Sequence, residues 1–113
     1  MDEIWKSIKE PILSKYEVSN TGKIRNKRSK KERNVIESKD HLLVNLIPDD
    51  KGFKNYRILA NLILLTFCSS DKYWFLCNGL YKEGFKILYK DGDYHNTSFD
   101  NLGVVNKSGE IVF

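Results

Sequence analysis

Histidine and cysteine are scarce in this chain, with two of each among 113 residues. Cys68 and Cys77 do not form a Cys-x-x-Cys pair. Together with His41 and His95 they also lack the ligand spacing of a zinc site. A reduced, intracellular setting is therefore the expectation. Long apolar runs are missing as well. The longest, Ile63-Leu64-Leu65-Thr66-Phe67-Cys68, falls far short of the ~20 residues of a membrane span, so no membrane partner is expected. The N-terminal Met1-Asp2-Glu3-Ile4-Trp5 is acidic and lacks the positive-then-apolar layout of a secretion signal. Repeats and low-complexity segments are absent.

The length fits one domain, or two very small modules sharing a core. A hydrophobic content of 41% with 12% aromatic residues is enough for a modest core. The net charge of +4 leans only weakly towards polyanionic partners, but its distribution is uneven. Lys23, Arg25, Lys27, Arg28, Lys30, Lys31 and Arg33 crowd one short stretch, opposed within it only by Glu32. Such a run can neutralise several phosphates and would make binding strongly salt-dependent. It can equally be a solvated loop that keeps the protein soluble.

Alternating large and polar side chains from Tyr16 to Arg25, around Asn20-Thr21-Gly22, predict a hairpin with Gly22 supplying a positive φ. His41–Ile47 and Phe53–Ile58 read as two strands of a second hairpin, joined by the turn residues Pro48-Asp49-Asp50-Lys51-Gly52. Ala60 to Cys68 reads as a buried helix, and Trp5 as an anchor for the N-terminal arm. The aromatic residues Tyr73, Trp74, Phe75 and Tyr81 suggest that 72–84 packs rather than floats. Phe85–Tyr89 is expected to be a strand and Asp91-Gly92-Asp93 a tight turn. A short helix should follow from Ser98, its N-cap, to Leu102, with terminal strand pieces at Val104-Val105 and Ile111-Val112-Phe113.

Two stretches resemble a known family. Trp5-Lys6-Ser7-Ile8, followed by Tyr16-Glu17-Val18-Ser19-Asn20-Thr21-Gly22-Lys23-Ile24-Arg25, is similar to the NUMOD-type N-terminal module of phage and intron HNH homing endonucleases. Leu88-Tyr89-Lys90-Asp91-Gly92-Asp93-Tyr94-His95-Asn96-Thr97, with Asn101-Leu102, is similar to their ββα-metal finger. The resemblance implies a small single α+β domain: a NUMOD-like module with its basic loop over 1–35, and a degenerate HNH-like part over 36–113. It also implies that the family's Asp-His pair, a metal ligand and the general base, is here Leu88-Tyr89. A later metal-binding Asn corresponds approximately to Glu110, and a His on the central helix is here Ala60.

A one-metal nuclease needs a divalent cation at the phosphate and a base with a pKa near the working pH. Leucine offers no oxygen to a hard metal ion. Tyrosine, with an unperturbed pKa of about 10, stays protonated at neutral pH. The retained Asp91, Asp93, Asn96 and Asn101 fit a turn and a loop tie as well as they fit a metal site. The expectation is therefore a DNA-binding protein on an HNH-endonuclease scaffold, with no catalytic residues, no metal and no cofactor. Its phosphate contacts would come from the basic run, and Tyr16, Tyr56, Tyr73, Trp74 and Tyr81 are candidates to stack on bases. Residue usage rich in Lys, Asn, Ile and Tyr would suit an AT-rich viral, phage or mobile-element genome. One alternative is a nicking enzyme using Mg²⁺ or Mn²⁺, with His95 or His41 as base and oxygens from Asp91 or Asp93. Another is an accessory protein that binds a protein partner or host factor. Oligomeric state is left open by the sequence.

Overall fold

The computed structural model describes residues 2–8, 13–47, 55–67 and 86–111. Two three-stranded antiparallel sheets, a helix and a two-stranded hairpin make up the described fold. The first sheet runs β1 (Trp5–Ser7), β2 (Tyr16–Ser19) and β3 (Ile24–Asn26) in that order. Its inward face is set by alternation: Tyr16, Val18 and Ile24 are buried while Glu17 and Arg25 are only half-buried. The predicted turn is present, with Gly22 at φ 98° and its N–H donating to the Ser19 carbonyl at 3.1 Å. Ser19 Oγ accepts the Lys23 N–H at 3.1 Å. Asn20 extends the sheet by side chain: its Oδ1 accepts from Ile4 N at 2.8 Å and its Nδ2 donates to Asp2 O at 3.0 Å.

The second sheet is β4 (Val35–Glu37), β5 (Leu42–Leu46) and β6 (Asn55–Ile58). Leu42, Val44 and Leu46 point inward, so the period-two pattern of β5 carries this half of the core. Helix α1 (Leu59–Phe67) follows β6 without a loop and is buried at every residue from Leu59 to Thr66. A short helix that is mostly apolar all round has no solvent face, and α1 is accordingly central, packed on both sheets and on the C-terminal hairpin. One hydrophobic cluster joins Leu13, Val18 and Ile24 to Val44, Leu62, Ile63, Ile87, Leu102 and Val104.

The C-terminal hairpin pairs β7 (Lys86–Tyr89) with β8 (Leu102–Val105), Tyr89 opposite Leu102. Several expected boundaries move. Strand β4 lies in a stretch not read as a strand, and the N-terminal arm forms β1. The helix expected over 98–102 is a single 3₁₀ turn, Phe99–Asn101, and Ser98 makes no side-chain cap. Its hydroxyl donates instead to the Thr21 carbonyl at 3.1 Å, a partner 77 positions away in sequence. The expected turn at 48–52, both cysteines and the aromatic segment 72–84 lie outside the described residues.

Candidate functional site

The loop from Lys90 to Asn101 is tied by its own polar side chains. Asp91 Oδ1 accepts from Asp93 N at 2.9 Å and Asn101 Nδ2 at 3.0 Å, and its Oδ2 accepts from Asn96 Nδ2 at 2.9 Å. Asn101 returns the contact, its Oδ1 accepting from Asp91 N at 3.0 Å and its Nδ2 also donating to Asn96 O at 2.9 Å. These bonds, the one from Asn96 foremost, hold the Asp91 carboxyl below the usual aspartate range. Asp91, Asn96 and Asn101 thus form a clasp across the mouth of the β7–β8 hairpin.

This loop is docked on the N-terminal hairpin. Thr97 Oγ1 donates to Gly22 O at 2.9 Å and Phe99 N donates to Asn20 O at 2.9 Å. The approach is so close that a Cβ on Gly22 would stand 2.5 Å from Thr97 Oγ1 and 2.8 Å from the Thr97 carbonyl carbon. Gly22 therefore serves two ends, a left-handed turn and a backbone contact with the motif loop.

His41 and His95 both bridge the β4–β5 hairpin to the motif, with their pKa values shifted in opposite directions. His95 Nδ1 lies 2.8 Å from Asp93 Oδ1 and its Nε2 lies 2.5 Å from Glu37 Oε1. Tyr94 stacks on the His95 ring at 4.2 Å and donates its hydroxyl to the same Glu37 oxygen at 2.7 Å. The bonds to Asp93 and Glu37 raise the His95 pKa, which favours an imidazolium donating from both nitrogens. In that form the ring has no lone pair with which to take a proton.

His41 is different. Burial lowers its pKa, against a smaller upward pull from Asp40, and its Nδ1 lies 2.8 Å from the hydroxyl of Tyr89. The two rings are 5.8 Å apart and tilted by 45°. Tyr89 also packs against the hydrophobic core. Its phenol fills the position to which the resemblance assigns a basic imidazole, and the nearby imidazole comes from another strand connection. Asp40, His41, Lys86, Ile87 and Tyr89 line a recess of about 370 Å³ beside it.

Among the described residues, those of the motif loop do not converge on a divalent metal. Leu88 is hydrocarbon, both oxygens of Asp91 are engaged by the loop, and Asp93 is turned onto His95. Among the described residues no three His, Cys, Asp or Glu side chains are grouped to hold an ion. Ala60 is fully buried in α1, inside the core rather than at a surface.

The basic run separates into two groups. Arg25 Nε donates to Glu17 Oε1 at 2.7 Å while its guanidinium lies 3.7 Å from the centre of the Trp5 ring. Lys30 Nζ reaches the same Glu17 oxygen at 3.2 Å, and Lys23 Nζ lies 3.6 Å from Glu3. Partial burial of Glu17 favours its neutral form, but the bonds from Arg25 and Lys30 prevail and hold its pKa down. Arg33 donates from Nη2 to Asn45 O at 3.0 Å. Lys27, Arg28 and Lys31 form no ion pair among the described residues. Lys15, which lies outside the run in sequence, joins Lys27 and Arg28 along a groove with Ser14 and Asn26. Of the aromatic stacking candidates, Tyr16 is buried, whereas Tyr56 is 62% exposed. Tyr73, Trp74 and Tyr81 lie outside the described residues.

Sequence patterns pointed to the motif loop but gave no sign of Glu37, the Tyr89–His41 pair or the groove position of Lys15. All three depend on contacts between segments far apart in the chain.

The scaffold so assembled is a small α+β domain with an HNH-endonuclease-like fold. A solved structure described as "DNA binding and cleavage by the HNH homing endonuclease I-HmuI" matches 93% of this chain with a TM-score of 0.69 and 27% identity. The match takes in 53% of that protein, so the chain spans about half its length. No protein-family profile and no curated protein matches the chain.

Proposed function

We propose that this chain binds DNA on an HNH-endonuclease scaffold from which metal-dependent hydrolysis has been lost. The observation that carries the reading is Tyr89. It stands where the family resemblance puts the general base, is packed against the core, and is hydrogen-bonded to His41. Beside it the loop carboxylate Asp91 is spent on Asn96 and Asn101. Removing a general base typically costs ~10²–10⁴ in rate, and a missing metal ligand adds to that. Binding needs none of this, only cations placed for phosphates on a rigid surface. The similarity to a protein described as binding and cleaving DNA supports DNA as the partner.

One arrangement favours a second reading. Burial lowers the pKa of His41, which favours its neutral form, and its ring lies one hydroxyl away from the base position. A water attacking the phosphorus of a phosphodiester could pass its proton to the Tyr89 oxygen as the phenolic proton moves to His41. The bond from phosphorus to the leaving sugar oxygen breaks, and that oxygen takes a proton from solvent. Supercoiled plasmid incubated with the protein and Mg²⁺ or Mn²⁺ separates the two. The expected outcome is intact plasmid; nicking that disappears in both Tyr89→Phe and His41→Gln would establish the relay.

A further inference from the structure

We infer that the groove between the segment preceding β2 and the loop after β3 is a phosphate site that seats a DNA backbone. Three cations, Lys15, Lys27 and Arg28, line it with the hydroxyl-bearing Ser14 and the amide-bearing Asn26, and its volume is about 440 Å³. None of these lining residues is acidic. The inference rests on the DNA-binding reading above and narrows it from seven cations to one place.

The groove is held by local backbone bonds. Lys27 N donates to Lys15 O at 2.9 Å, which fixes the two cationic segments side by side. Asn26 Oδ1 accepts from Arg28 N at 2.9 Å and from Ser29 N at 3.0 Å, closing the loop on itself. Lys30, at φ 59°, turns the chain back so that Lys30 N reaches Asn26 O at 2.9 Å. Lysine in the left-handed region carries some strain, and here Lys30 aims its ammonium at Glu17, away from the groove lining. The loop thus pairs one charge with Glu17 and leaves its neighbours for a ligand.

Charge bookkeeping explains why this groove, and not the whole run, is the site. Arg25 and Lys30 already share Glu17, and Lys23 lies against Glu3. A phosphate approaching those three would compete with an existing carboxylate. One approaching Lys15, Lys27 and Arg28 meets no ion pair among the described residues. Each phosphate neutralised on duplex DNA contributes ~0.9 to the slope of log affinity against log salt, so three groove contacts contribute about 2.7. Between 50 and 200 mM salt that amounts to roughly a 40-fold loss of affinity.

The test is titration of a 16-base-pair duplex over that salt range with the intact chain, with Lys15→Gln/Lys27→Gln/Arg28→Gln, and with Lys23→Gln/Lys30→Gln. Circular dichroism melts accompany each to show that the variants are folded. The groove variant should lose about 2.7 from the salt slope, and the paired-cation variant less than about 1. A groove variant that binds with the slope of the unmodified chain overturns the assignment while leaving DNA binding in place. Failure of the unmodified chain to bind duplex DNA overturns the functional reading and the groove with it. In that event, shifts of the 26–29 amide resonances on adding an octaglutamate peptide would identify an acidic protein as the ligand class instead.

Discussion

The basic hairpin and the motif loop are built from similarly polar sequence, yet they spend it in opposite ways. In the motif loop, Asp91, Asn96 and Asn101 turn their functional atoms on one another and on the backbone. In the hairpin, Arg25 and Lys30 are drawn onto Glu17 while Lys27 and Arg28 stay directed at a groove. Polar residue types record what a segment can bind; their partners decide what it still has available. The motif loop ties itself together with its polar side chains, and Lys23, Arg25 and Lys30 of the basic run are likewise engaged with carboxylates.

That contrast can be broken most severely at Asn101, which is buried and makes three side-chain bonds. Asn101→Ala removes the acceptor of the Asp91 N–H and the donor shared by Asn96 O and Asp91 Oδ1, which keeps its bond from Asp93 N. It should lower stability by about 1–2 kcal/mol, read as a fall in the urea midpoint. An unchanged midpoint would mean the loop holds itself by other means.

A smaller effect sharpens the hairpin half. Arg25 and Glu17 are mostly shielded, with side chains 21% and 12% exposed, and Arg25 also covers Trp5. Arg25→Ala should cost about 1–2 kcal/mol in thermal unfolding, combining a charge-assisted bond with a cation–π contact. Lys27→Ala should cost under about 0.5 kcal/mol and be felt in DNA binding instead. Equal losses at both positions would erase the distinction between paired and available cations.

The smallest expected effect concerns the two histidines. The folded-state pKa of His95 is raised by Asp93 and Glu37, so its contribution is present below the ordinary histidine value of about 6.5 and is lost as pH rises through the raised value. Glu37, held down first by Tyr94 and then by His95, contributes above the ordinary glutamate range and loses that contribution as pH falls through its lowered value. His41 has the opposite sign to His95. Its pKa is lowered by burial, so the unfolded chain takes up the proton first and stability declines as pH falls below about 6.5. Melting curves against pH should therefore show His95→Gln flattening the alkaline side and His41→Gln flattening the acid side. Identical profiles for both variants would remove the difference assigned to the two rings.

The hairpin at Gly22, the alternating strand β5, the buried helix and the β7 strand were legible because each is encoded within a few consecutive residues. Strand β4 was not: Val35, Ile36 and Glu37 are all exposed, so no inward-outward alternation marks it, and it forms by pairing with β5. Ser98 illustrates the same limit. Its position before a helical turn suits a cap, but the Thr21 carbonyl on a distant hairpin takes its hydroxyl. The altered positions Leu88 and Tyr89 were readable as chemistry by residue type alone. That an imidazole returns beside Tyr89 from residue 41 was not, because it requires the β4–β5 connection to meet the end of β7.

By itself, the sequence determined the alternation of β2 and β5, the left-handed turn at Gly22, the concentration of positive charge, and the absence of an imidazole and a metal-binding oxygen at positions 88 and 89. These follow from side-chain chemistry and short-range spacing. Only the tertiary structure decided which charges are compensated, because an ion pair depends on distance in space and Glu17 lies on a neighbouring strand from Arg25. The same holds for the two histidines. One is surrounded by carboxylates and the other is desolvated beside a phenol, and those surroundings, rather than the residue type, set their opposite behaviour.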